Sequence, residues 1–274
     1  MDDTTCVEFL QWALPKLRMR WEGFRKVRNQ VCKRIGRRIR FLQLQDVAAY
    51  RAYIQHHSEE WKILDGLCTV SISRFFRDKR VFSSIQLEIL PYLVQQAKRR
   101  SEDVLHIWSI GCASGEEPYS LKILWELDVK QRLTDAKTGI EITATDSDPQ
   151  LLTRAATACY PYSSIKNIPE IWRQYAFDIS KGEYCLRPLF RAGVNFIRQD
   201  VRCENPPGIF DLILCRNLVF TYFGPDLQRQ VLKRLENAIR PKGILIIGIH
   251  EVLPEDYVGF AAWSHRPGIY QRSA

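Results

Sequence analysis

From about residue 104 onward, apolar residues gather in short runs separated by stretches of helical spacing. VLHIWSIG (104–111) reads as a buried strand, IEITATD (140–146) as a second, and FDLILCRN (210–217) and GILIIGIH (243–250) as two more. Between them PYSLKILWEL (118–127), PQLLTRAATACY (149–160) and PDLQRQVLKRLENAIR (225–240) read as helices, and the last runs into the stop signal Pro241-Lys242-Gly243. Nearly continuous apolar strands alternating with helices predict an α/β domain around a largely parallel sheet. The start of the chain differs. There Phe24, Val27, Val31, Ile35 and Ile39 recur every three or four residues, so 16–40 predicts one amphipathic helix with a packed stripe and polar faces toward solvent.

Charge sharpens that division. The net charge of +9 is very uneven: residues 1–100 hold 20 basic and 10 acidic side chains, the remaining 174 hold 20 and 21. The excess is densest on the predicted 16–40 helix, where Glu22 is the sole acid, and a single-sign face of that density predicts an acidic partner. A chain of 274 residues with 46% hydrophobic residues can bury a sizeable core, which excludes general disorder. No apolar run is long enough to cross a bilayer, and the N-terminal MDDTTCVEFLQW lacks the pattern of a secretory signal; both point to the cytoplasm. The 8 cysteines show no CxxC pair and no zinc spacing, so the expectation is free thiols and no metal.

In open α/β sheets ligands bind beyond the carboxyl ends of the strands. The residues there are 111–117, 146–148, Arg216 with Asn217, and His250 with Glu251. Gly111-Cys112-Ala113-Ser114-Gly115 lets backbone approach a ligand, but it lacks the third glycine of a dinucleotide fingerprint, and Glu116-Glu117 would repel a pyrophosphate while attracting a cation. Asp146 is placed to accept from a ribose diol, with Asp148 before Pro149 as the alternative helix cap, and Asp200 to accept from an adenine amino group. Acids for ribose and base around a positively charged ligand suggest S-adenosylmethionine rather than NAD or ATP.

SISRFFRD (71–78), WSIGCASGEEPYSL (108–121), TATDSDPQLL (143–152), FDLILCRN (210–217) with TYF (221–223), and GIHE (248–251) together resemble the chemotaxis receptor methyltransferases, the CheR family. The resemblance implies a small all-helical, basic N-terminal domain (1–72), a linker helix (73–103) and a Rossmann-like class I methyltransferase domain (104–274). It further implies methyl transfer from S-adenosylmethionine to receptor glutamates, giving methyl esters and S-adenosylhomocysteine. Carried over residue by residue, cofactor contacts fall on Ser71, Ser73, Arg77, Gly111, Glu117, Asp146, Asp200, Val201, Arg216 and Asn217, and the catalytic pair on Arg77 and Tyr222. A small β subdomain that docks a receptor tail in some members would correspond to about 174–197.

Three departures from the family pattern stand out. Ser71 and Ser73 occupy the places of Asn and Thr; LVFTYF is one residue longer than usual, so that Thr221 or Tyr222 takes the family tyrosine's place; and His250 replaces a serine. His250 motivates an alternative in which a related methyltransferase acts on a small-molecule acid or hydroxyl. A non-catalytic module that responds to S-adenosylmethionine is the non-enzymatic alternative. Nucleic acid is disfavoured as the partner of the basic segment, which has no interleaved aromatics beyond Trp21 and Phe24.

Overall fold

Seven strands hydrogen-bond in the order β6-β2-β1-β7-β8-β10-β9: β1 (Val104–Ile110), β2 (Gly139–Asp146), β6 (Val194–Arg198), β7 (Phe210–Cys215), β8 (Ile239–Ile247), β9 (Phe260–Ala262) and β10 (Ile269–Arg272). A separate three-stranded sheet, β3-β5-β4, is formed by β3 (Cys159–Tyr160), β4 (Phe177–Ser180) and β5 (Glu183–Leu186). The computed structural model describes residues 2–133, 137–263 and 266–273. In the large sheet β6, β2, β1, β7 and β8 are parallel, and β10 is antiparallel to both neighbours. The chain builds β1, β2 and β6 in one direction and then returns to lay β7 and β8 on the other side of β1. The strand order therefore reverses between the ends of β1 and β7, where doubly wound sheets open a crevice. This is the parallel α/β sheet that the alternation predicts, in the Rossmann-like class I form that the resemblance implies.

The central strands are apolar because both faces are covered. Ile107, Ile142, Leu212, Leu214, Ile244 and Ile246 form the middle of the core with Trp125, and Trp108 is fully buried with its indole N–H on the Thr145 hydroxyl at 2.9 Å. Asp211 is the polar exception within β7. It accepts from Arg100 at 2.5 Å and from the His106 amide at 2.9 Å, so its buried charge is paired. The helical run 79–99, with a π turn at Ile85–Ile89, sends Val81, Phe82, Ile85, Leu93 and Val94 into this same core; the segment expected as a linker is part of the packing.

The chain resolves into two compact units: the residues up to Ser71 with Leu218–Gln228, and Ile72–Asn217 with Arg229 onward. The first is helical, with Asp3–Ala13, Arg28–Phe41, Val47–His56 and Glu60–Cys68 packed through Phe9, Leu10, Val31, Ile35, Tyr50 and Leu64. The single helix expected over 16–40 is broken. Arg18 takes φ 58°, and Trp21–Phe24 is a lone turn before the helix resumes at Arg28. The cause is pairing with the 218–228 segment. The Arg20 amide donates to the Tyr222 carbonyl at 2.9 Å, Met19 bridges Phe223, and Gly23 approaches so closely that an added Cβ would lie 2.2 Å from the Thr221 carbonyl oxygen. Hydrophobic period alone carries no signal for such a contact.

Two further expectations are corrected. Cysteines 6 and 32 form a disulfide, as do 159 and 185, while Cys68, Cys112, Cys203 and Cys215 are not disulfide-bonded. The pairs are made by tertiary placement: Cys159 and Cys185 stand directly opposite in β3 and β5, with Cα atoms 4.0 Å apart. The small sheet spans 159–186 rather than 174–197, because Val194, Asn195 and Phe196 extend the large sheet alongside Ile142, Thr143 and Ala144.

In the helical unit Glu60 is buried and accepts from Arg38 at 2.9 and 2.7 Å and from the Tyr50 hydroxyl at 2.8 Å. Burial pushes its carboxyl up, but the Arg38 and Tyr50 hydrogen bonds outweigh burial and hold it below the usual glutamate value. A depressed folded-state value gives stability that is complete above the unfolded value of about 4.3 and is lost as pH falls through the folded one. Glu60→Gln should cost about 1–3 kcal/mol at neutral pH and flatten that acid limb. Urea denaturation from pH 7 to 3 checks both; an unchanged acid slope refutes the assignment.

Candidate active site

The glycine turn after β1 is built by backbone that side chains disfavour. Gly111, Ala113 and Gly115 have φ of 66°, 49° and 88°, and the amides of Gly111 and Cys112 both donate to the Thr145 carbonyl at 2.8 and 3.0 Å. A Cβ on Gly115 would press on Ala155, Tyr119 and Phe196 at 3.1–3.2 Å, so glycine is required both for the conformation and for the space. Asp146, at the end of β2, accepts from the Ala113 amide and the Asp148 amide, each at 2.9 Å. It thereby locks the two turns that flank the crevice. Asp148 is the helix cap, accepting from Gln150 and Leu151, which leaves Asp146 for the site. Burial raises the Asp146 carboxyl, opposed by these amides.

Glu117 and Glu116 follow the turn with different surroundings. Glu117 accepts from the Ser109 hydroxyl at 2.9 Å and from Arg216 at 2.8 Å. Glu116 is buried and hydrogen-bonded to Ser73; its Oε2 has no partner among the described residues, and burial raises its carboxyl. At the end of β6 the Gln199 amide donates to the Asp146 carbonyl at 2.9 Å, and the buried Gln199 Oε1 likewise lacks a partner. Asp200 accepts from the backbone and guanidinium of Arg202; burial opposes ionisation there, but these bonds prevail and its carboxyl lies below the usual aspartate value. Val201 is buried beside it.

Arg77 sits in a strained turn. Its neighbours Phe76 and Asp78 have φ of 52° and 63°, an arrangement that bulky residues avoid. The turn is held by the Phe76 amide donating to the Ser120 hydroxyl at 2.9 Å, and by Arg216, which donates to the Asp78 carboxylate at 2.5 Å and the Arg77 carbonyl at 3.0 Å. Arg77 itself donates to the Ile72 carbonyl at 2.6 Å, and among the described residues no carboxylate pairs with it: Asp78 and Glu117 are both taken by Arg216. Asn217 has φ 54° and donates its amide to Glu251 at 2.9 Å; Glu251 also accepts from Gly248 at 2.5 Å, tying the ends of β7 and β8. His250 is exposed.

The larger unit thus gathers Ser73, Arg77, Gly111, Glu117, Asp146, Asp200, Val201, Arg216 and Asn217. Ser71 and Tyr222 belong to the other unit, where the Tyr222 ring meets Phe24 edge-on at 5.1 Å. Sequence reasoning missed Tyr160, which it placed at the end of a helix. Ala158 at φ 56° ends that helix early, and the buried Tyr160 donates to the Ser114 carbonyl at 2.6 Å while its ring abuts Phe75 at 4.9 Å. Cys112 is buried and its thiol is pushed well above the ordinary value by burial, which rules out a ready thiolate.

Acids at the ends of β1, β2 and β6, together with buried oxygens of Glu116 and of the Gln199 amide that accept no hydrogen bond among the described residues, fit a ligand that brings ammonium and hydroxyl groups. A family model described as CheR methyltransferase, SAM binding domain, matches residues 71–267. The chain is 31% identical over 223 residues to a chemotaxis protein methyltransferase of Listeria monocytogenes, covering 79% of this chain and 80% of that one. It is 29% identical to the chemotaxis protein methyltransferase of Escherichia coli, covering 82% and 76%. An uncharacterized 104.1 kDa protein of Rhodobacter capsulatus is 31% identical over 88% of this chain, which spans 25% of that protein's length. Among solved structures, the N-methyltransferase NodS of Bradyrhizobium japonicum aligns with 72% of this chain and 99% of that one at 13% identity and a TM-score of 0.38.

S-adenosylmethionine is accordingly the cofactor, and Asp146 is the residue whose expected part in holding its ribose can be tested. Asp146→Asn puts an NH₂ against one of two backbone amides and removes the charge. Calorimetry with S-adenosylhomocysteine should show affinity lowered by about tenfold or more, corresponding to at least one charge-assisted hydrogen bond; an unchanged Kd refutes the assignment.

Proposed function

The chain belongs to the CheR methyltransferase family, and on that premise we propose that it methylates glutamate side chains of a receptor-type protein, forming methyl esters. The named chemotaxis methyltransferases, matched over most of their length, support this reading. When bound, S-adenosylmethionine supplies an electrophilic methyl on sulfur with a neutral thioether as leaving group. A glutamate carboxylate, with a pKa of about 4.3 in water, is already a nucleophile at neutral pH and needs no general base. The protein's task is to align that oxygen with the methyl and to exclude water.

The observation that carries the proposal is Arg77. Its guanidinium projects from a constrained turn whose own carboxylate, Asp78, is committed to Arg216, so donors remain for an incoming carboxylate. Arginine suits this task because its planar fork meets both carboxylate oxygens. Tyr222 packs in the helical unit, and the proposal rests on Arg77 alone. The basic helix Arg28–Phe41 gives the acidic substrate a place to dock: Lys33, Arg37 and Arg40 line a surface recess of about 420 Å³ with Asn29, Asp2 and Asp3. An acidic helical segment of a receptor's cytoplasmic part, with the enzyme in the cytoplasm, is the matching partner.

Incubation with methyl-labelled S-adenosylmethionine and receptor cytoplasmic fragments should give label that alkali releases. Arg77→Ala should lower the rate by about 100-fold or more, the loss typical of a donor acting at the reacting group. Alkali-stable label, no label on any receptor fragment, or near-native turnover of the variant overturns the proposal.

A further inference from the structure

Family likeness assigns Arg216 to the cofactor, but its surroundings give it a different task. Its side chain is 2% exposed at the end of β7, stacked 5.7 Å from the Phe82 ring centroid. One terminal nitrogen is committed to Glu117 and the other to the Asp78 carboxylate and the Arg77 carbonyl; Nε is buried without a partner among the described residues. The terminal N–H groups therefore join the first turn of the helix after β1 to the strained turn that presents Arg77. With φ of 52° and 63° on either side of Arg77 the turn is strained, and its ties apart from Arg216 are to single acceptors: the Phe76 amide to Ser120, the Phe75 amide to the Ser164 carbonyl at 3.2 Å, the Arg77 amide to the Arg74 carbonyl at 3.3 Å and the Arg77 guanidinium to the Ile72 carbonyl at 2.6 Å.

We propose that Arg216 is a positioning residue: by gripping the Arg77 carbonyl, Asp78 and Glu117 together, it fixes the backbone from which Arg77 reaches the acceptor carboxylate. The assignment of Arg77 to the acceptor rests on the function proposed above; the clamp itself does not. It also makes Glu117 a shared anchor of the cofactor side and the acceptor side. A lysine cannot replace this arginine, because a point ammonium on a single stem does not span two carboxylates and a carbonyl at once.

The test uses Arg216→Lys and, separately, Asp78→Asn, which spares the Arg216–Glu117 pair. In hydrogen exchange on the full chain with S-adenosylhomocysteine bound, amides 75–78 should exchange about tenfold faster or more in both variants, with β1 amides unchanged. The kcat for methyl transfer should fall about 10- to 100-fold, as expected when an orienting group is displaced, while the Kd for S-adenosylhomocysteine stays within about threefold. Unchanged exchange at 75–78 in both variants overturns the clamp, as does a Kd weakened by about tenfold with kcat preserved, which returns Arg216 to the cofactor. If exchange rises as expected but the native protein makes no methyl ester, the clamp stands and the proposed function falls.

Discussion

A guanidinium withdrawn from water costs several kcal/mol unless its partners are close and its donors are used. Arg216 meets that condition with its terminal nitrogens, drawing two carboxylates and a carbonyl to within 2.5–3.0 Å, while its Nε is buried without a partner among the described residues. The demand runs in both directions. Asp78 and Glu117 are themselves largely shielded from solvent, with side chains 25% and 15% exposed, and each would be an unpaired anion without the arginine. Removing one member of such a group typically costs about 3–5 kcal/mol, because it strands the others. The ends of β1 and β7 and the turn before residue 79 are therefore fixed relative to one another by charge, where a purely apolar contact would allow sliding.

Backbone strain gathers at the same edge. Phe76, Asp78, Ala113 and Asn217 all have positive φ without being glycine, alongside Gly111 and Gly115. Such residues cost of order 1–3 kcal/mol each and persist only when their surroundings dictate them. Here the surroundings are polar: Asp146 holds Ala113, Arg216 holds the turn around Arg77, and Glu251 holds Asn217. Each is an acid or base whose charge strengthens a bond to backbone. Tyr160 adds an apolar counterpart, its hydroxyl on the glycine turn and its ring on Phe75. The small sheet that carries Tyr160 is thus tied to the glycine turn, a connection that its position outside the large sheet would not suggest.

The strands and helices of the α/β part were legible because burial on both faces imprints an apolar run and helices leave a period. The edge residues were legible for a related reason, since a doubly wound sheet puts whatever follows each strand into the crevice. What escaped was set by partners distant in sequence. The break at Arg18 depends on residues 218–228, and the cysteine pairs depend on which helix or strand lies opposite. Arg216 stood at a strand's end and, by resemblance, among the cofactor contacts; its pairing with Asp78 and Phe82, more than 130 residues earlier, left no mark in its own stretch of sequence. Tyr160 looked like the last residue of a helix, and only the left-handed Ala158 turns it inward.

The distribution of charge also bears on the kind of acceptor. Catalysis on a hydroxyl calls for a group that takes a proton at the reacting oxygen. Asp146 and Glu117 at this edge are committed to holding backbone and Arg216, and the nearby thiol of Cys112 is pushed toward its neutral form. His250, a base at the same edge, lies exposed to water. Arg77, by contrast, offers a planar guanidinium whose geometry matches two oxygens. An acceptor that arrives already ionised, as proposed above, needs no base from this edge.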